Sequence, residues 1–132
     1  MNDKITAAVH SLIHPLSGLE KAWVVELSKG HAVLAIDVTK NSLNALGTVH
    51  GGFLFTLCDT ASGAVSASEG WVSVTLGSSI SFIKSVTQGT LYAEADSIHT
   101  GRTTMVVEAK IKGEKGELIA SGTFTMYKIG EL

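Results

Sequence analysis

The sequence predicts an α+β protein in which an antiparallel six-stranded β-sheet wraps around one buried helix. Two patterns carry this prediction: the segments after Gly70 alternate apolar with polar residues, and the segment before them is apolar on nearly every helical face. Helices do not alternate with strands in the second half of the chain, so a parallel βαβ sheet is excluded. The sequence therefore predicts two helices and six strands.

Composition narrows the class of protein further. With 132 residues, 45% of them hydrophobic and 17% charged, the chain is expected to form a single domain over residues 1–132. Its single cysteine, Cys58, excludes an intramolecular disulfide. A formal net charge of −2 without a basic run argues against nucleic acid as a partner. No export signal and no membrane span are recognisable, so we expect a cytoplasmic protein without a membrane partner.

The first half of the chain contains both predicted helices. Residues 1–14 predict a short amphipathic helix, because Ile5 and Val9 recur at helical spacing and Asn2 or Asp3 can cap its start. Alternating segments on either side of a Lys-Gly turn predict a hairpin, and a longer apolar segment predicts the buried helix. The predicted hairpin strands are 22–28 and 32–38, and the predicted buried helix is 49–67.

Four strands follow, each with one polar and one apolar face. Gly77 interrupts the first of them and is a candidate bulge. Glycine-containing turns separate the others, and the four predicted strands are 72–82, 91–96, 104–111 and 117–128. Such a sheet leaves its edge strands open, and the low charge suggests concealed surface. We therefore expect a homodimer that continues the sheet, and a homotetramer of two such dimers.

The densest group of unusual residues precedes the buried helix. A polar loop starts at Asn44 and ends in His50-Gly51-Gly52, and Asp59 lies further along the helix. Free amides at a helix amino terminus, accessible at glycine, can bind a carbonyl oxygen that becomes negative. Asp59 lies nine residues after His50, about 13 Å along the axis, and is too far from Gly51 of the same chain. A site shared across a dimer would remove this difficulty.

The segment Asn44-x5-His50-Gly51-Gly52-x6-Asp59 resembles the acyl-CoA thioesterases of the hotdog fold. It is most similar to the PaaI type of phenylacetic acid degradation, within the 4-hydroxybenzoyl-CoA thioesterase superfamily. The resemblance extends from about residue 19 to residue 127. It includes the Gly-Ser-Ser-Ile-Ser-Phe segment that starts at Gly77 and a Gly-Arg turn.

The resemblance implies hydrolysis of an aryl or medium-chain acyl-CoA to the free acid and CoA, without a metal or a cofactor. The Gly51 amide would bind the thioester oxygen, with Asn44 and His50 beside it. Asp59 of the neighbouring subunit would be the general base or the nucleophile, and Thr75, or Ser73 on the same face, would position water. The residues that would contact substrate or CoA are Gly52, Ser73, Gly77, Ser78, Lys84, Gly101 and Arg102.

Several of these residues also have structural interpretations. Asp59 could bond a loop in an interface, the His50 ring could bond backbone at the helix start, and Asn44 could stabilise its own loop. A non-catalytic acyl-thioester binding protein is the alternative function, although it would not need Asp59. A hydratase would need a paired histidine and acid, which we do not find.

The remaining cysteine and histidines have simpler explanations. Cys58 is expected in the core because no histidine partners it. His10 and His14 share a helical face, but no third metal ligand is evident. His31 and His99 lie beside predicted turns, where solvent exposure accounts for them.

Overall fold

The computed structural model describes residues 1–13 and 18–132. Its elements follow the predicted order of one helix, two strands, one helix and four strands. They are α1 (Asp3–Ile13), β1 (Trp23–Ser28), β2 (His31–Asp37), a 3-10 turn (Lys40–Ser42), α2 (Gly51–Ser68), β3 (Trp71–Phe82), β4 (Thr90–Thr100), β5 (Thr104–Lys112) and β6 (Leu118–Glu131). The predicted end of the first helix at residue 14 lies outside the described residues.

The six strands form one antiparallel sheet in the order β1-β2-β4-β5-β6-β3. The strand that follows α2 therefore crosses the molecule and pairs with the last strand, at one edge of the sheet. Helix α2 packs against the strands of this single sheet. This arrangement confirms the predicted hotdog fold.

Rows of paired residues on the inner face explain how the sheet accommodates α2. One row alternates large and small side chains, from Leu34 through Ala93 and Ile111 to Ala120. All four are buried. A neighbouring row contains only small residues, namely Ala32, Ala95, Ala109 and Gly122. These small side chains leave space for the helix to approach the sheet closely.

Helix α2 is buried along most of its length and carries many small residues. Its buried serines have hydrogen-bond partners: Ser62 Oγ donates to the Cys58 carbonyl at 2.9 Å, and Ser68 Oγ donates to the Val65 carbonyl at 2.5 Å. Such bonds remove the cost of burying a hydroxyl. In the described part of the chain, neither helix is long and apolar enough to cross a membrane.

Helix α1 covers the second half of α2. Asn2 caps it, because its Oδ1 accepts a hydrogen bond from the Ile5 amide at 2.9 Å. Val9 is buried against the core. Leu12 Cδ1 lies 3.4 Å from the position that a methyl group on Gly63 would occupy. A small residue at position 63 therefore lets α1 approach α2.

A bulge in β3 sets which side chains face the helix. Thr75 pairs with the buried Met126, and the register then shifts by one residue before Gly77. Phe82 consequently pairs with the buried Ala120 and faces inward, whereas strict alternation from Thr75 would turn it outward. The predicted bulge thus decides the orientation of every inward residue from Ser78 to the end of the strand.

Candidate active site

The amino terminus of α2 presents one free amide. His50 is the N-cap residue, and its Nδ1 accepts a hydrogen bond from the Gly52 amide at 2.9 Å. The amides of Phe53 and Leu54 donate to the His50 carbonyl at 3.0 and 3.2 Å. Within residues 1–13 and 18–132, only the Gly51 amide of this first turn has no hydrogen-bond acceptor. It is therefore the donor available to a ligand, and Gly52 is not.

Asn44 holds the loop that leads into the helix. Its Oδ1 accepts hydrogen bonds from the amides of Leu46 at 2.9 Å and Thr48 at 3.2 Å. Its Nδ2 donates to Thr48 Oγ1 at 2.9 Å. The structure therefore places Asn44 in the loop-stabilising position that the sequence left open, and its side chain fixes the approach to His50.

Asp59 lies in the third turn of α2 and is half-buried. Thr75 Oγ1 donates a hydrogen bond of 2.6 Å to Asp59 Oδ1. This contact brings together two residues that the resemblance implied would act on the same water. Ser73, the other candidate on this face, instead forms a 2.6 Å hydrogen bond with Ser66 of the helix. Thr75 is thus the hydroxyl that accompanies the carboxylate.

The inner face of β3 runs along α2 in the opposite direction. Ser73 meets the end of the helix and Thr75 meets Asp59. The Phe82 ring meets the helix start, with its Cζ 3.4 Å from the position of a methyl group on Gly51. The amide and the carboxylate are about 12 Å apart along the helix. One chain therefore carries both halves of the predicted site, but at separate places.

A cleft of about 820 Å³ opens beside the amino terminus of α2. His50, Gly52 and Thr56 contribute to its lining, together with residues from the 18–21 and 36–43 segments. Asp59 lies outside it. The cleft therefore opens beside His50 and Gly52, and the carboxylate in the third turn of the same helix does not line it.

The two cations expected at the CoA phosphates lie far apart in one chain. Arg102 is in the β4–β5 turn, level with Thr104 and its neighbour Tyr127. Lys84 follows Phe82, which is level with Ala120 at the opposite end of the sheet. Both are exposed. The strand register thus separates the two cations within one chain.

The other predicted positions are also located. Gly77 and Ser78 lie at the bulge on the exposed edge strand, and Gly101 donates its amide to the Thr104 carbonyl in the β4–β5 turn at 2.8 Å. Cys58 is fully buried, and burial raises the pKa of its thiol to about 12. The predicted core position of Cys58 is therefore confirmed.

The sequence did not predict the environment of His31. Its Nε2 contacts Glu26 and its Nδ1 contacts Asp96, each at 2.6 Å. These hydrogen bonds, that of Glu26 first, raise the pKa of His31 above 6.5. Solvent exposure alone was therefore the wrong interpretation. For the His10 and His14 pair, residue 14 lies outside the described residues, and no cluster of three metal-ligating side chains occurs within them.

Comparison with known proteins places these features in a family. The Thioesterase superfamily matches residues 46–120. Acyl-coenzyme A thioesterase PaaI of Escherichia coli K12 is 32% identical over 108 residues, which are 81% of this chain and 77% of that protein. A Streptococcus mutans UA159 protein bound to acetyl CoA is 40% identical with a TM-score of 0.84, and the match covers 89% of this chain and 96% of that one.

A hypothetical thioesterase of Streptococcus pneumoniae TIGR4, crystallised with coenzyme A, is 39% identical with a TM-score of 0.83. The match covers 85% of this chain and 88% of that one. Crystal structures also exist of its variants in which one aspartate or one threonine is replaced by alanine. Those two positions are sixteen residues apart, the same separation as between Asp59 and Thr75.

The fold and the residues at the start of α2 define a hotdog-fold enzyme that hydrolyses thioesters. The family match covers more than half of the chain and spans the His50-Gly51-Gly52 motif, Asp59 and Thr75. The chain belongs to the Thioesterase superfamily.

Proposed function

We propose that this protein is an acyl-CoA thioesterase in which the Gly51 amide binds the thioester oxygen and Asp59 activates the attacking water. The observation that carries the proposal is that α2 holds both a first-turn amide without an acceptor among the described residues and a carboxylate that receives a 2.6 Å hydrogen bond from Thr75. The CoA and acetyl CoA bound to two similar proteins support this class of substrate.

In the proposed reaction, the water oxygen attacks the thioester carbon and its proton passes to the Asp59 carboxylate. The carbonyl oxygen becomes negative and accepts a hydrogen bond from the Gly51 amide, at the positive end of the α2 dipole. The carbon–sulfur bond then breaks, and the CoA thiolate takes up a proton as it leaves. Only water, one carboxylate and backbone or hydroxyl donors take part, so the reaction requires neither a metal nor a cofactor.

The distance between the Gly51 amide and the Asp59 carboxylate within one chain supports a dimer with shared active sites. Strand β3 is a long edge strand that is exposed over most of its length, and such strands readily pair with another chain. Thr75 and Phe82 are equally distant from its middle, near Ser78 and Ser79. If two copies pair antiparallel about that point, the Gly51 end of each copy meets the Asp59 end of the other. Pairing of two dimers into a tetramer remains part of the proposal.

The same pairing would place the two cations at the same end of the continued sheet, on strands that are not neighbours. Lys84 at one end of β3 would then be level with the Arg102 end of the second copy. Two cations from different subunits would bind the CoA phosphates better than either alone. A cytoplasmic location, where acyl-CoA is formed, fits this substrate class and belongs to the proposal.

A thiol-release assay with a panel of acyl-CoA substrates, aryl and straight-chain, tests the proposal. We expect release of free CoA from at least one member, and its loss in Asp59→Asn while the fold persists. The matched control is Asp96→Asn, which removes an exposed carboxylate on the opposite face of the sheet. Absence of thiol release across the panel would contradict the proposed substrate class.

An isotope experiment distinguishes the two roles of Asp59. A single turnover in water enriched in oxygen-18 should place the heavy oxygen directly in the product acid if Asp59 is a general base. If Asp59 is a nucleophile, a mixed anhydride forms first, and water attack at the aspartyl carbon leaves the product with an unlabelled oxygen from the enzyme. Unlabelled product in the first turnover would therefore refute the general-base assignment.

A further inference from the structure

The start of α2 has an aromatic neighbour that the motif does not include. Phe82 is the last residue of β3, and the bulge near Gly77 turns its side chain toward the helix. Its ring atoms Cζ, Cε2 and Cε1 lie 3.4 to 3.6 Å from the position that a methyl group on Gly51 would occupy. Because Gly51 has no side chain, the ring approaches the backbone of the helix start closely.

The ring is also accessible from outside. Phe82 is 53% exposed, although it lies on the inner face of the strand and pairs with the buried Ala120. A large aromatic side chain that is half-exposed next to an unbonded amide is available to contact a ligand at that amide. Gly51 carries the free amide of the first turn, so the ring lies next to the residue that would bind the thioester oxygen.

We propose that Phe82 forms the apolar wall of the thioester subsite and is a further substrate-contacting residue. This inference rests on the proposed function. The ring lies beside the residue whose amide would bind the thioester oxygen, so it covers one side of that oxygen and excludes water there. A hydrogen bond from Gly51 to the developing oxyanion is stronger where water is excluded. The oxyanion exists only in the transition state, so the wall acts on kcat more than on KM.

The test compares Phe82→Ala, Phe82→Leu and Ile83→Ala with the wild type on an acyl-CoA that the wild type hydrolyses. Ile83 is the matched control, because it is the adjacent apolar residue and is also 53% exposed. We expect Phe82→Ala to lower kcat about tenfold, less than the loss of an oxyanion donor, with KM changed by less than about threefold. Phe82→Leu restores an apolar wall and should retain most of the activity, and Ile83→Ala should stay within about twofold of the wild type.

Several distinct outcomes would overturn the inference. A fall in activity in Ile83→Ala as large as in Phe82→Ala would mean that any truncation at this end of β3 is harmful. Equal losses in Phe82→Leu and Phe82→Ala, or a loss confined to KM, would show that no apolar wall acts on the transition state. If the wild type hydrolyses no acyl-CoA, the proposed function itself fails and the role of Phe82 fails with it. Thiol release by the wild type with unchanged Phe82→Ala kinetics refutes only the role of Phe82.

Discussion

The hydrogen bond between Thr75 and Asp59 provides the sharpest test of the proposed site. Thr75→Val removes the hydroxyl but keeps the side-chain shape, so Asp59 Oδ1 loses its 2.6 Å donor without a cavity. A hydrogen bond to a charged group is worth about 1.5 to 3 kcal/mol, and this one lies at an exposed position, so the lower value applies. A loss of about 1.5 kcal/mol of transition-state stabilisation lowers kcat/KM about tenfold.

A double-mutant cycle shows whether Thr75 acts through Asp59. We expect Asp59→Asn alone to lower kcat about 10²- to 10⁴-fold, as loss of a general base does. In that background, Thr75→Val should cost less than about twofold, because the carboxylate that it orients is gone. The assay is thiol release at saturating and limiting acyl-CoA, with Thr123→Val as control, since Thr123 is exposed on the outer face of β6. A tenfold loss in both backgrounds would refute the reasoning.

Three further predictions concern substrate binding, assembly and pH. Arg102→Ala and Lys84→Ala should each raise KM for acyl-CoA about three- to tenfold. Neither should change KM for an N-acetylcysteamine thioester, because that substrate lacks the nucleotide. An equal rise for both substrates would contradict phosphate binding. In the proposed dimer, Ser79→Glu should place two like charges opposite each other at the middle of the edge strand, and light scattering should then show inactive monomers. Thr123→Glu, one strand inward, should leave the dimer intact. A fully active monomer would contradict shared sites. His31→Gln should lower the free energy of unfolding by about 1 kcal/mol below pH 6.5, because the raised pKa keeps wild-type His31 charged there. This difference in stability between variant and wild type should vanish as the pH rises through the folded-state pKa of His31. Urea unfolding at about pH 6 and pH 9 checks it, and an equal difference at both would refute it.

The local features of the fold were readable from the sequence. Alternation of apolar and polar residues placed the strands, and the apolar character of residues 49–67 placed the buried helix, because burial imposes a period on each element. The bulge near Gly77 was also predicted, since glycine interrupts a clear alternation there. The motif from Asn44 to Asp59 was recognisable because its residues are neighbours along one loop and one helix.

The pairing of distant residues was not readable in this way. His31 meets Glu26 and Asp96 only because β2 lies between β1 and β4, and nothing in the turn sequence reveals that neighbourhood. Lys84 and Arg102 were both predicted to contact CoA, and only the register of β5, β6 and β3 shows that one chain holds them at opposite ends of the sheet. Strand order and register depend on contacts between segments far apart in the chain, so local periodicity does not specify them.

The sequence by itself determined the elements, the buried helix and the chemical groups at its start, because these follow from propensity, periodicity and spacing. Only the tertiary structure decided which groups meet. In it, Asn44 and the Gly52 amide form hydrogen bonds with neighbouring residues, whereas the Gly51 amide has no acceptor in the described part of the chain. Thr75 is hydrogen-bonded to Asp59, and Phe82 lies beside the helix start. The reason is that β3 lies antiparallel along α2 with one extra residue in its middle. The register shift between Thr75 and Gly77 places Thr75 and Phe82, on its two sides, on the same face of the strand.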